Sequence, residues 1–375
     1  MSVFRVEREI AGRTLSIETG KWAKQAAGAA VVQYGDTVVL STVVSAPSQR
    51  NLDFFPLFVD YREKTYAAGK FPGGFIKREG RPTTKEVLTM RMIDRPMRPL
   101  FPKGFREEVQ IQAMVLSADQ QNDPDLLAVI ASSAAIAVSP LPFQGPVGAV
   151  RIGQIKNELA ANPPHGELEC SPFELILAGT KQAVNMIELG AQPTPEQTVA
   201  DAIAFGHTII ATICEMIDEL VDQVKPEKVE FTPSEESETF LRALREKYTD
   251  PLTAAKEITG KQERNAAVDE IKDKALAELV SDDSPDADRL KVLAAMAFEE
   301  FEEDIVRKQI LAGRRADGRS TEQLREITCE VGVLPRTHGS AAFTRGETQA
   351  LVVATLGTSG DEQVVDGLAE EYSKK

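Results

Sequence analysis

Apolar and polar positions along the first sixty residues alternate in short runs separated by turn residues. Arg13-Thr-Leu-Ser-Ile-Glu18, Gly28-Ala-Ala-Val-Val-Gln-Tyr34 and Thr37-Val-Val-Leu-Ser-Thr-Val-Val44 are rich in β-branched side chains and broken by Gly20, Gly28 and Gly35-Asp36. That period and composition predict sheet strands. Residues 125–140 (DLLAVIASSAAIAVSP) are apolar nearly all round, which predicts a buried helix. A further strand pair is predicted at 147–155 and 174–179. Over 195–224, Val199, Ile203, Ile209, Ile213, Ile217 and Val221 suggest a helix packed on that sheet. Residues 1–233 therefore read as an α+β domain.

The pattern then changes. Residues 234–312 are rich in Glu, Lys and Ala with few β-branched runs, which predicts an all-α segment. Its clearest helix is expected to start at Ser284-Pro285, to carry Leu290, Leu293, Ala294, Ala297, Phe301 and Ile305 on one stripe, and to stop at Gly313. The acidic run Glu299 to Asp304 on that helix reads as a solvated face. Strand-like character returns over 313–375, together with an internal repeat. Gly28, Gly35, Asp36 and Thr37 correspond to Gly339, Gly346, Glu347 and Thr348 at a constant offset of 311. A repeat that long is a duplicated domain, since solenoid periods are about 20–50 residues. The second copy stops 29 residues after Gly346, so it is read as truncated.

Charge sharpens this picture. The 375 residues carry 43 Lys and Arg against 58 Asp and Glu, a net charge of −15. Between Lys70 and Arg106, however, ten basic residues face three acidic ones. Such a stretch acts as a local anion site, because distant acids are screened beyond about 10 Å at 0.1 M salt. Cys170, Cys214 and Cys329, like His165, His207 and His338, are scattered and offer neither a disulfide framework nor zinc spacing. No nucleotide-triphosphate loop or dinucleotide Gly-x-Gly-x-x-Gly pattern occurs. No membrane span or secretory signal is read, so a cytoplasmic location is expected.

Several stretches resemble the polynucleotide phosphorylase family: Gly73-Gly-Phe-Ile-Lys-Arg-Glu-Gly-Arg-Pro82, Arg91-Met-Ile-Asp-Arg-Pro-Met-Arg-Pro-Leu-Phe101, Gly145-Pro-Val-Gly-Ala-Val-Arg-Ile-Gly153, Arg314-Arg-Ala-Asp-Gly-Arg319 and Leu334 to Gln349. The resemblance covers the chain in order. It implies a ribonuclease-PH-like domain (the βαβα arrangement of ribosomal protein S5 domain 2), an all-α domain and the start of a second ribonuclease-PH-like domain, at 1–233, 234–312 and 313–375. It also implies a phosphate-dependent 3′-to-5′ exoribonuclease of messenger RNA degradation, which releases nucleoside diphosphates, runs backwards as a polymerase and uses magnesium. A homotrimer with a channel for single-stranded RNA, and membership of an RNA-degradation complex, are implied as well. The family's Asp pair and Lys belong to the second copy, beyond Lys375, so catalytic and metal residues are expected to lie outside this chain. In the first copy Glu174 matches one acidic position, but Ile176 stands where a lysine would be needed and can carry no charge. That copy is expected to bind RNA without cutting it.

Candidate RNA contacts are Phe75, Ile76, Lys77, Arg78 and Arg81 in a glycine-led loop, where a ring stacks on a base and cations hold phosphates. The family loop has two adjacent phenylalanines; Ile76 replaces the second. Arg91, Arg95 and Arg98 on a helix over 84–97 and just beyond it can bind phosphate in bidentate fashion. Alternatively Asp94 pairs with Arg91 or Arg98 and Arg95 sits at a subunit contact. Arg345, just before Gly346, is a further candidate. The competing function class is a catalytically silent ribonuclease-PH-like protein that serves as an RNA platform or ring scaffold.

Overall fold

The computed structural model describes residues 2–48, 54–73, 77–232, 234–281, 284–368 and 371–374. Chain contacts divide it into two units, the first running to Thr232 and taking in Val365–Tyr372, the second formed mainly by Pro233–Val364.

The first unit holds two sheets. β1 (Phe4–Ile10), β2 (Arg13–Thr19), β3 (Gly28–Tyr34), β4 (Thr37–Ala46), β5 (Leu57–Glu63) and β6 (Glu108–Ser117) form one, in the order β1-β2-β3-β4-β6-β5. Only β5 runs parallel to its neighbour β6. Strict alternation explains β3, where Gly28, Ala30, Val32 and Tyr34 point inward. Two helices follow in the chain, α1 (Thr84–Met97) after β5 and α2 (Pro124–Ala137) after β6. α1 is started by a capping box in which Thr83 Oγ1 accepts from the Glu86 N–H and the Glu86 carboxylate accepts from the Thr83 N–H. All fourteen residues of α2 are buried, as the unbroken apolar run demands. Its serines are satisfied: Ser132 pairs with Ser41 at 2.9 Å, and Ser133 accepts from the Val147 N–H at 2.7 Å. β3 approaches α2 so closely that a Cβ on Gly28 would lie 2.1 Å from the Ala135 carbonyl oxygen.

The second sheet, ordered β10-β9-β7-β8, is antiparallel throughout and contains β7 (Gly148–Ile155), β8 (Glu158–Ala161), β9 (Phe173–Gly179) and β10 (Val184–Ala191). A short helix α3 (His165–Leu168) links β8 to β9, and α4 (Glu196–Val224) packs across β7, β9 and β1. By length and composition α4 could cross a membrane, a property the sequence reading did not assign to it. Ala202, Ile210, Ile213, Met216, Ile217 and Leu220 are nevertheless buried in the unit, as in the core helix of a folded domain. Strands β1, β5, β6, β8 and β10 were not among the elements read from the sequence.

In the second unit α5 (Glu235–Lys256), α6 (Lys261–Leu279) and α7 (Ala287–Leu311) enclose a core of Leu244, Tyr248, Leu252, Phe298, Phe301 and Ile305. α7 starts two residues after Pro285, behind Asp286, which makes no side-chain cap bond. β11 (Ile327–Val331), β12 (Gly339–Arg345) and β13 (Thr348–Ala354) form a three-stranded antiparallel sheet. The repeat reappears here as matched register. Gly28 pairs with Val43 and Tyr34 with Thr37, while Gly339 pairs with Ala354 and Arg345 with Thr348. Gly35 and Gly346 turn the two hairpins at φ of 61° and 60°, a region that favours glycine. The duplication is thus structural, down to the hairpin register.

Candidate nucleic-acid interface

The basic window does not act as one block. Lys77, Arg78 and Arg81 are exposed on the loop that follows Gly73, and Arg91 is exposed on α1; among the described residues none of the four forms an ion pair. Glu79 anchors that loop by accepting from the Thr65 N–H at 3.2 Å and the Thr65 hydroxyl at 3.3 Å. Phe75 and Ile76 lie outside the described residues. Arg345 is exposed on β12 in the second unit.

The other cations are engaged inside the chain. Arg98 binds Asp94 at 2.6 and 3.0 Å, donates to the carbonyls of Phe55 at 2.7 Å and Leu57 at 3.1 Å, and lies 5.7 Å over the Phe55 ring. This is the Asp94 pairing that the sequence left open for Arg91 or Arg98. Arg95 pairs with Glu188 on β10, and Lys70 pairs with Asp366 and donates to the Gly367 carbonyl at 3.0 Å. Lys85 bridges Glu63 at 3.0 Å and Asp123 at 3.1 Å. Burial works against the Lys85 charge, but Asp123 and Glu63 outweigh it and hold the ammonium above the ordinary lysine value.

Behind this surface lies a charged centre that the sequence reading missed. Asp123 stands at the N-cap position of α2 without a side-chain cap bond, Asp125 occupies the first turn and Glu174 projects from β9; all three meet Arg151 of β7. The guanidinium is 2.6 Å from Asp123 Oδ2, 2.8 Å from Asp125 Oδ2 and 2.8 Å from Glu174 Oε1, with only 6% of its side chain exposed. The helix N-terminus adds its own positive end to the two aspartates. Ile176 is buried between Arg151 and Glu188 in register across β7, β9 and β10. The only sequence signals were a single arginine in the apolar run Gly148 to Ile155 and the Asn122-Asp123-Pro124-Asp125 helix start. Magnesium does not fit here, because every carboxylate of the centre already faces a fixed cation. Among the described residues no group of three His, Cys, Asp or Glu side chains is arranged to hold a metal ion.

Comparison with known proteins places this geometry in a family. The chain is 48% identical over 375 residues to the polyribonucleotide nucleotidyltransferase of Rhodopirellula baltica, covering 99% of this chain and 49% of that protein. It is 50% identical over 368 residues to the enzyme of the same name from Koribacter versatilis, covering 97% of this chain and 45% of that protein. The chain belongs to the polyribonucleotide nucleotidyltransferase family. It spans about half the length of the curated relatives it matches. Within it, the 3′ exoribonuclease family domain 1 matches residues 11–142 and 323–371, and domain 2 matches 145–209. The polyribonucleotide nucleotidyltransferase RNA binding domain matches 239–320, the helical segment to which the sequence reading gave no ligand. The fold is therefore a ribonuclease-PH-like unit, a helical domain and the start of a second ribonuclease-PH-like unit.

Proposed function

We propose that this chain is part of a phosphate-dependent 3′-to-5′ exoribonuclease in which inorganic phosphate attacks the terminal phosphodiester of single-stranded RNA and releases nucleoside diphosphates, reversibly. The observation that carries the reading is near 50% identity to polyribonucleotide nucleotidyltransferases over essentially the whole chain. Magnesium would act in the second copy, neutralising charge on phosphate oxygens. A cytoplasmic homotrimer with a central RNA channel, acting in messenger RNA degradation and within a degradation complex, completes the proposal and rests on the family resemblance. The first copy serves as an RNA platform: Lys77, Arg78, Arg81 and Arg91 present charge that forms no ion pair among the described residues, whereas Glu174 and Ile176 offer no working site.

Activity tests this directly. Protein of the relatives' full length, given oligoadenylate, phosphate and magnesium, is expected to release adenosine diphosphate, and the 375-residue chain none. Phosphate-dependent release by the shorter chain that disappears in Glu174→Gln would place a working site in the first copy and overturn the reading. The RNA platform is tested separately by a fluorescence-anisotropy salt series on single-stranded RNA. Lys77→Ala with Arg78→Ala is expected to weaken binding to all sequences and to flatten the log–log salt slope by about 1.4, or about 0.7 per phosphate contact. An unchanged slope removes the loop from the interface.

A further inference from the structure

The misfit between magnesium and the first copy has a specific cause. Asp123, Asp125 and Glu174 come from a helix start and a strand and close on a single group from different sides, each facing a different nitrogen of it. What they surround is the side chain of Arg151. Its two terminal nitrogens are aligned with Asp123 and Asp125, at 2.6 and 2.8 Å. Its Nε is different: Glu174 Oε1 is 2.8 Å away, yet lies off the N–H axis, and the buried Nε–H has no hydrogen-bond partner among the described residues. An orphaned donor in so buried a group is costly, on the order of 1–3 kcal/mol in general, so the fit of guanidinium to this carboxylate set is incomplete. The neighbouring cavity, about 20 Å³, is walled mostly by apolar side chains such as Leu15, Leu126 and Ile213 with Asn122, Asp123 and Arg151 at its edge, room for about one water and not for a hydrated metal ion.

We propose that Arg151 is a resident cation occupying the place of a divalent metal among Asp123, Asp125 and Glu174, and that it keeps the first copy closed to metal. A guanidinium neutralises the carboxylates permanently. It cannot leave, cannot lower the pKa of a bound water and cannot open a coordination position to a phosphate oxygen. The consequence for catalysis rests on the reading of the first copy as silent, but the test below involves neither RNA nor phosphorolysis, so the two can fail separately.

The test uses the 375-residue chain and Mn²⁺ as probe, with bound ion counted by electron paramagnetic resonance. Arg151→Ala is expected to bind one Mn²⁺ per chain more than the parent. Adding Asp125→Asn should remove that ion, and Arg151→Lys should keep the parent count. Mn²⁺ should also raise the melting temperature of Arg151→Ala and leave that of the parent unchanged. A folded Arg151→Ala with the parent's Mn²⁺ count overturns the proposal, as does an added ion that survives Asp125→Asn. Where Arg151→Ala unfolds without metal, refolding in Mn²⁺ is expected to restore its circular dichroism; a variant still unfolded in Mn²⁺ shows that these carboxylates cannot use a metal and overturns it too.

Discussion

Replacing Arg151 by methionine, without added metal, is expected to destabilise the first unit by about 3–5 kcal/mol, the usual cost of stripping the partner from buried charges. Methionine fills much of the space but leaves Asp123, Asp125 and Glu174 facing each other. The effect should depend on pH with a definite sign. In the parent, burial pushes Asp123 up, but Arg151 and Lys85 outweigh it and hold its carboxyl well below the usual carboxylate range. The Asp123 contribution is therefore present above the unfolded value of about 3.9 and is lost as pH falls towards the folded one. Asp125 behaves oppositely: burial raises it by more than Arg151 takes back. Without Arg151 the burial effect is opposed by Lys85, by His165 at Asp123 and by the Leu126 N–H at Asp125, and both carboxyls move up. A group raised in the folded state contributes stability below its unfolded pKa and loses it as pH rises. The deficit of the variant should thus be larger at pH 7 than at pH 5. Urea unfolding at the two pH values measures it; equal deficits, or a loss under about 1 kcal/mol, would mean that the centre is not charged as described.

Much of the first unit was readable because its strands follow a simple rule. β3 and most of β4 alternate cleanly, and α2 is apolar on every side because it has no exposed face. β6 obeys the same alternation through Val109, Ile111, Ala113 and Val115, yet its polar neighbours Gln110 and Gln112 dilute the apolar run. β10 lies at a sheet edge and keeps Ile187 and Leu189 exposed, so burial leaves little imprint on its sequence. Charge was harder to read for a different reason. Counting Lys and Arg between Lys70 and Arg106 treats them as equivalent, whereas their partners decide which remain open to RNA. Asp94 is a near neighbour of the arginine it binds, whereas Glu188, Asp123 and Asp366 come from distant segments that the fold brings together. Arg151 is the extreme case, since its three carboxylates come from two elements, neither of them its own. A lone arginine in an apolar strand signals a buried partner without saying which.

The helical unit presents the converse situation, in which a stripe read from sequence is the core itself. Phe301 is 1% exposed, meets Phe298 edge-on with centroids 6.3 Å apart, and packs with Leu244, Tyr248, Leu252 and Ile305. Phe301→Ala is expected to cost about 3–5 kcal/mol, combining lost transfer energy with a cavity that three helices cannot close. For a small helical domain that is a large share of a total stability of about 5–15 kcal/mol. The loss should be local, because the aromatic core contains no residue of the first unit. Hydrogen exchange by mass spectrometry should show peptides from α5, α6 and α7 losing protection, while those from β3, β4 and α2 exchange as in the parent. If the match to an RNA binding domain over 239–320 reflects RNA contact, the same variant should also bind single-stranded RNA more weakly, without altering the contribution of Lys77 and Arg78. Loss of protection spread evenly over both units would show that they unfold together, and unchanged protection in α5–α7 would show that Phe301 is not a keystone of that core.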